Sequence, residues 1–171
     1  MSKPPDLSQF TKQEIRTTLN EVRHPVSVAI CGSDNYFNTG AIIRSAHIFL
    51  VKEIILVDTP AFYERATMGT HKWENIRHVT EEDFLAENAP LVCFERRPDM
   101  DSHCLMGFSY PENPVLVFGN EKTGIPDRIL ARAHSVVSIP QYGLQNDMNL
   151  ANAASIGIYD FIVKHYNKKK S

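Results

Sequence analysis

The sequence predicts an α/β fold, a mainly parallel sheet with helices on both faces. Three observations carry that prediction. Short apolar runs recur along the chain, amphipathic helical patterns lie between them, and polar glycine-bearing segments follow the runs. Runs that are apolar at every position belong to strands buried on both faces, the condition of a parallel sheet.

Taken in order, Thr11 and Glu14 have capping-box spacing and open a helix that must stop before Pro25. Residues 26–31 are long enough for a buried strand and too short for a helix. Residues 41–50 place Ile42, Ile43, Ala46, Phe49 and Leu50 on one side of a helix. Further strands are expected at 53–57, 76–79, 91–94, 115–118 and 136–139, with short helices at 81–87 and 127–133. In the last helix, Leu150, Ala153, Ala154, Gly157, Ile158, Phe161 and Ile162 make one continuous apolar stripe. The expected organisation is a helical extension over 1–25, a main domain over 26–166 and a basic tail over 167–171 that includes Lys168, Lys169 and Lys170.

Composition narrows the function. The 171 residues are 43% hydrophobic, enough for one domain with a full core. Eighteen Lys and Arg against 20 Asp and Glu give a net charge of −2, which argues against a broad basic nucleic-acid surface. No apolar run approaches the ~18 residues of a membrane span, and no signal-peptide stretch opens the chain. Cys31, Cys93 and Cys104 show no CxxC spacing, so a disulfide framework is not expected and a reducing cytoplasm is. The seven histidines lack ligand spacing, and no metal is expected.

In parallel sheets, ligands bind beyond the carboxyl ends of strands. Three loops there carry candidate chemistry. In the first, Asn38 is a good N-cap, Gly40 allows close approach to the first helical turn, and Arg44 lies about 1.5 turns into the helix. Arg44 can grip a phosphate bidentately; the plainer alternative is a solvated arginine on a capped helix. In the second, residues 115–118 run into Gly119 and Gly124, which bracket a charged turn before Pro126. Backbone amides there can face a small molecule, and Glu121 can hold a polar group. The spacing matches neither a dinucleotide fingerprint nor a Walker loop. In the third, Asn146, Asp147, Asn149 and Asn152 stand at the head of the last helix, where capping accounts for one of them.

Together the loops resemble the SpoU (TrmH-type) RNA 2′-O-ribose methyltransferases of the SPOUT superfamily. The first motif is matched by Asn38, Gly40 and Arg44. The second is matched by Phe118, Gly119, Glu121, Gly124, Ile125 and Pro126, and the third by Ile139, Pro140, Gly143, Met148, Asn149, Leu150 and Ala153. One departure is Asp147, where the family usually has serine. Its negative charge can favour a cationic methyl donor or repel an RNA phosphate.

The resemblance implies a C-terminal trefoil knot, a homodimer, and S-adenosylmethionine as cofactor. It assigns cofactor contacts to Phe94, Gly119, Ile139, Asp147, Met148 and Ala153. It implies catalytic roles for Arg44, Asn38, Glu121 and Asn149, with Arg44 also on the RNA. A guanidinium has a pKa above ~12, so Arg44 is expected as phosphate anchor first and base second. Candidate RNA contacts are Arg96 and Arg97, with Lys12, Arg16, Arg23, His24 and the lysine tail; each is also explained as a solvated charge. The expected substrate is tRNA, with rRNA as the alternative, and the length suggests a catalytic domain without an appended RNA-binding module. Two competing readings are a catalytically weakened or inactive RNA-binding relative, and an unrelated flavodoxin-like protein.

Overall fold

The computed structural model describes residues 9–98, 100–144 and 148–168, with the side chains of the last helix described through His165. Helix α1 (Lys12–Glu21) opens on the expected capping box. Thr11 Oγ1 accepts from the Glu14 amide at 3.3 Å while the Glu14 carboxylate accepts from the Thr11 amide at 2.8 Å. No residue of α1 is buried. Strand β1 (His24–Cys31) starts two residues before the apolar run, and Pro25 is accommodated because the ladder slips between His24 and Ser27.

The chain continues through α2 (Tyr36–Ile48), β2 (Val51–Val57), β3 (Ile76–Val79), α3 (Glu81–Ala86) and β4 (Leu91–Phe94). It then forms β5 (His103–Cys104), β6 (Val115–Phe118), α4 (Asp127–Ala131), β7 (Ser135–Ser138) and α5 (Leu150–Lys168). The strands form one sheet in the order β3-β2-β1-β6-β4-β7-β5, parallel at every pairing. The chain fills one side of β1 with β2 and β3, then crosses to fill the other. That reversal between β1 and β6 opens a crevice at the carboxyl rim.

Strand alternation explains why the runs are apolar throughout. Val28 and Ile30 of β1 join Ile42 and Ala46 of α2 and Ile158 of α5 on one face. Ala29 and Cys31 join Phe84 of α3 and Ile129 of α4 on the other. Burying each large aliphatic side chain contributes ~1.5–3 kcal/mol, so neither face tolerates polar alternation.

Two polar ties fix elements that the cores leave loose. Arg23 pairs with Glu74 at 2.8 Å and also donates to the Val51 and Trp73 carbonyls, while His47 Nδ1 lies 2.8 Å from the same carboxylate. Arg23, expected among the surface cations, is therefore buried in an ion pair. At the other end, Tyr110 Oη donates to Asp160, which pairs with Lys164, and Lys164 donates to the Leu105 carbonyl. This ties α5 to the segment between β5 and β6.

Candidate active site

The first-loop geometry differs from its expected form. Asn35, not Asn38, caps α2, its side chain accepting from the Asn38 amide at 3.1 Å. The helix thus starts five residues earlier than the apolar pattern indicates, and Asn38 becomes its third residue. The Asn38 side chain is released from capping and buried. Its amide donates to Glu121 Oε1, and its oxygen accepts from Asn149 Nδ2 at 3.1 Å. Asn149 caps α5, its Oδ1 accepting from the Ala151 and Asn152 amides at 2.9 and 3.3 Å. Three expected catalytic residues from three loops therefore form one hydrogen-bonded relay, Glu121–Asn38–Asn149.

Arg44 stands apart from it. Six residues after Asn38 amount to about 240° further round the helix, and the side chain is exposed. With α2 beginning at Tyr36, Arg44 sits about two turns in rather than 1.5. Gly40 does admit a close neighbour, but the neighbour belongs to the protein. A Cβ there would lie 2.6 Å from the Tyr63 carbonyl oxygen and 2.8 Å from Ala66 Cβ.

Beside the relay, a cleft of about 320 Å³ opens at the carboxyl ends of β4, β6 and β7. Phe94, Gly119, Ile139, Met148 and Ala153 all line it, with Glu121 at its edge. Asp147 and Asn146 lie outside the described residues. Phe94 and Phe118 stack at 4.8 Å between ring centroids and form an aromatic wall. Leu150, Ala153 and Ile139 add apolar surface. A concave, mostly pre-formed site of a few hundred cubic ångströms with a few polar groups suits a small organic ligand.

The glycine loop folds onto itself. Asn120 and Gly124 exchange backbone hydrogen bonds of 2.8 and 3.2 Å, and Gly124 takes φ +72°. These two amides are thus spent within the turn. Glu95 secures the turn from outside: its Oε2 accepts from the Ile125 amide at 2.8 Å and its Oε1 from the Arg96 amide at 2.9 Å. Arg97 clamps the same point, donating to the Ile125 carbonyl and to Asp127, each at 2.7 Å. Sequence reasoning passes over Glu95, because a glutamate followed by two arginines after a strand reads as solvated charge. Arg96 also lines the cleft, its guanidinium 3.3 Å from Gln141 Oε1.

The thiols supply no nucleophile here. Cys31 and Cys93 are buried, and burial pushes the Cys93 thiol up to about 12 and Cys31 further. Among the described residues there is no cluster of three or more His, Cys, Asp or Glu placed to hold a metal. None of their helices is long and apolar enough to cross a membrane.

Comparison with known proteins agrees with this arrangement. A family model described as the SpoU rRNA Methylase family matches residues 25–159. The tRNA (guanosine(18)-2′-O)-methyltransferase of Thermus thermophilus is 25% identical over 161 residues, 90% of this chain and 82% of its own. The tRNA (cytidine(34)-2′-O)-methyltransferase of Saccharophagus degradans is 29% identical over 133 residues, 72% of this chain and 84% of its own. The AdoMet-bound rRNA methyltransferase from Sinorhizobium meliloti superposes with a TM-score of 0.72 at 28% identity, covering 86% of this chain. This chain spans 60% of that protein's length. The Aquifex aeolicus TrmH/SpoU tRNA-modifying enzyme shares the fold, with a TM-score of 0.79 at 24% identity, covering 94% of this chain and 87% of its own.

Proposed function

The chain belongs to the SpoU rRNA Methylase family, and on that footing we propose that it methylates a ribose 2′-hydroxyl of RNA, with tRNA as the substrate and S-adenosylmethionine as the methyl donor. The observation that carries this reading is the Glu121–Asn38–Asn149 relay at the edge of the cleft.

The residues present fit the cofactor. The cleft pairs an aromatic wall, Phe94 and Phe118, with apolar Ile139 and Ala153 and with backbone groups at Gly119 and Met148, suited to an adenosine and a methionine chain. Asp147, at the family's serine position, belongs to the same reading. When bound, S-adenosylmethionine supplies an electrophilic methyl group on a positively charged sulfur. The ribose oxygen would take that methyl as the carbon–sulfur bond breaks, leaving a neutral thioether, and the hydroxyl proton would pass to water.

The protein's own contribution is alignment and charge. Asn38, locked between Glu121 and Asn149, holds the ribose in place, and the oxygens of Glu121 accept from the sugar hydroxyls. Arg44, exposed on α2 and apart from the relay, anchors an RNA phosphate. Arg96 adds positive charge at the cleft, while the charge of Arg97 is met by Asp127.

The same reading includes a homodimer and the family's trefoil knot. Ile48, Ile156, Tyr159 and Val163 are exposed on α2 and α5, an apolar face that a second copy would cover. Three free cysteines fit a reducing cytoplasm.

Methyl transfer from labelled S-adenosylmethionine to unmodified tRNA tests the reading, and mass spectrometry of the product nucleosides names the 2′-O-methyl position. Absence of transfer with S-adenosylmethionine bound would favour the non-catalytic RNA-binding relative that Asp147 suggests. Transfer that survives both Asn38→Ala and Arg44→Ala would overturn the site assignment.

A further inference from the structure

We propose that the exposed Phe37–Tyr63 pair is a stacking platform for a nucleobase of the RNA, placed on the same helix face as Arg44. The inference rests on the RNA reading above and adds to it a residue-level recognition site. The two rings stack at 6.3 Å between centroids and 29° between planes, yet Phe37 is 62% exposed and Tyr63 45%. A stacked pair with an uncovered outer surface offers what single-stranded RNA-binding proteins use, a flat π-face that accepts any base.

Its position follows from helix geometry. Phe37, Gly40 and Arg44 fall at i, i+3 and i+7, one face of α2. Phe37 and Arg44 are about 10 Å apart along the axis at 1.5 Å per residue, roughly three stacked nucleotide steps of ~3.4 Å. A base on Phe37 and a phosphate on Arg44 therefore belong to the same short stretch of RNA. Phe37 directly precedes Asn38, whose buried side chain lies about 100° round the helix.

The platform is rigid. The Tyr63 amide donates to the Tyr36 carbonyl at 2.8 Å. Gly40, lacking a Cβ, lets the Tyr63 backbone rest on the helix. Exposed Arg65, two residues after Tyr63, adds a second cation, against the exposed acids Glu64 and Asp34, the latter paired with Lys122. Aromatic surface flanked by arginines suits RNA better than the aliphatic contact of another subunit.

The test uses the full chain with two probes, a fluorescein-labelled oligoadenylate and total tRNA. Phe37→Leu is expected to weaken binding of both by about 5- to 100-fold. The slope of log affinity against log salt should stay at the wild-type value, since no phosphate contact is lost. Phe37→Trp should restore affinity, while S-adenosylmethionine binding by calorimetry and the sedimentation coefficient remain those of wild type. Unchanged RNA affinity in Phe37→Leu overturns the platform. Dissociation of an oligomer by that variant also overturns it and assigns the pair to a second copy. If the wild type binds neither probe, the RNA reading falls with it. If the wild type binds RNA without methylating it and Phe37→Leu weakens that binding, the platform stands while the methyltransferase reading fails.

Discussion

The side chain of Asn149 donates to the Asn38 side-chain oxygen at 3.1 Å, joining the heads of α5 and α2 across 111 positions of sequence. Asn149 caps its own helix with its oxygen and reaches the other helix with its nitrogen, so each half of the amide has one task. Because Asn38 passes the connection on to Glu121, a shift at any of the three positions is felt at the other two.

Replacing Asn38 by alanine should therefore impair alignment rather than cofactor affinity. It leaves the Asn149 nitrogen and the Glu121 carboxylate without this partner. A misplacement of about 1 Å can cost ~10²-fold in rate. The expected result is a kcat for methyl transfer lower by about that factor, with S-adenosylmethionine binding by calorimetry within a few-fold of wild type.

Glu95 should show the opposite pattern. Losing a charge-assisted hydrogen bond costs ~1.5–3 kcal/mol, and the bond to the Ile125 amide holds the turn that shapes the cleft. Glu95→Ala is expected to weaken S-adenosylmethionine binding about tenfold or more, and Glu95→Gln, which keeps an acceptor oxygen, to recover most of it. Equal affinities for wild type and Glu95→Ala in calorimetry would dismiss the clamp.

The Arg23–Glu74 pair predicts a stability effect far from the cleft. The Glu74 side chain is 0% exposed and that of Arg23 4%. Removing one partner of a buried pair costs ~3–5 kcal/mol, whereas replacing both by apolar residues is often neutral. In urea unfolding, Arg23→Ala should be strongly destabilised, and the double variant Arg23→Met with Glu74→Leu should recover only part of the loss, because the Val51 and Trp73 carbonyls and His47 still lose their partners. A single variant as stable as wild type would contradict the pairing.

The thiols give a pH prediction. Cys93 is raised by burial from its usual value of 9.0 to about 12 in the folded state. A raised acid holds its proton more tightly when folded, so its contribution is complete below the unfolded value and lost as pH climbs through the folded one. Stability should fall between about pH 9 and 12. At neutral pH a thiol reagent should modify exposed Cys104 quickly, and Cys31 and Cys93 only after denaturation. Rapid labelling of all three in the native protein would refute the buried placement.

Much of this fold is legible in the sequence, because strands buried on both faces need unbroken apolar runs. Residues 76–79, 91–94 and 115–118 are strands as their composition indicates. β5 is not legible: its two residues, His103 and Cys104, are exposed at the sheet edge and carry no apolar signal. β7 is displaced by one residue, as Ser135 is in the ladder and Ile139 is not. The start of α2 is misplaced because Asn35 and Asn38 are equally good caps, and only the tertiary partners Glu121 and Asn149 decide between them. The burial of Arg23 is invisible for the same reason, its partner lying 51 positions away. In the site, motif residues are recognisable one by one, while the hydrogen-bonded relay is a fact of three dimensions.

The cleft takes Leu150 and Ala153 from the first turn of α5, the last of the described elements, which the Asp160–Lys164 tie then fastens to the segment before β6. Every strand of the sheet precedes those residues in chain order. The sheet can therefore be complete in sequence while the cleft still lacks one of its walls. Ligand binding is in this sense a report that α5 has docked.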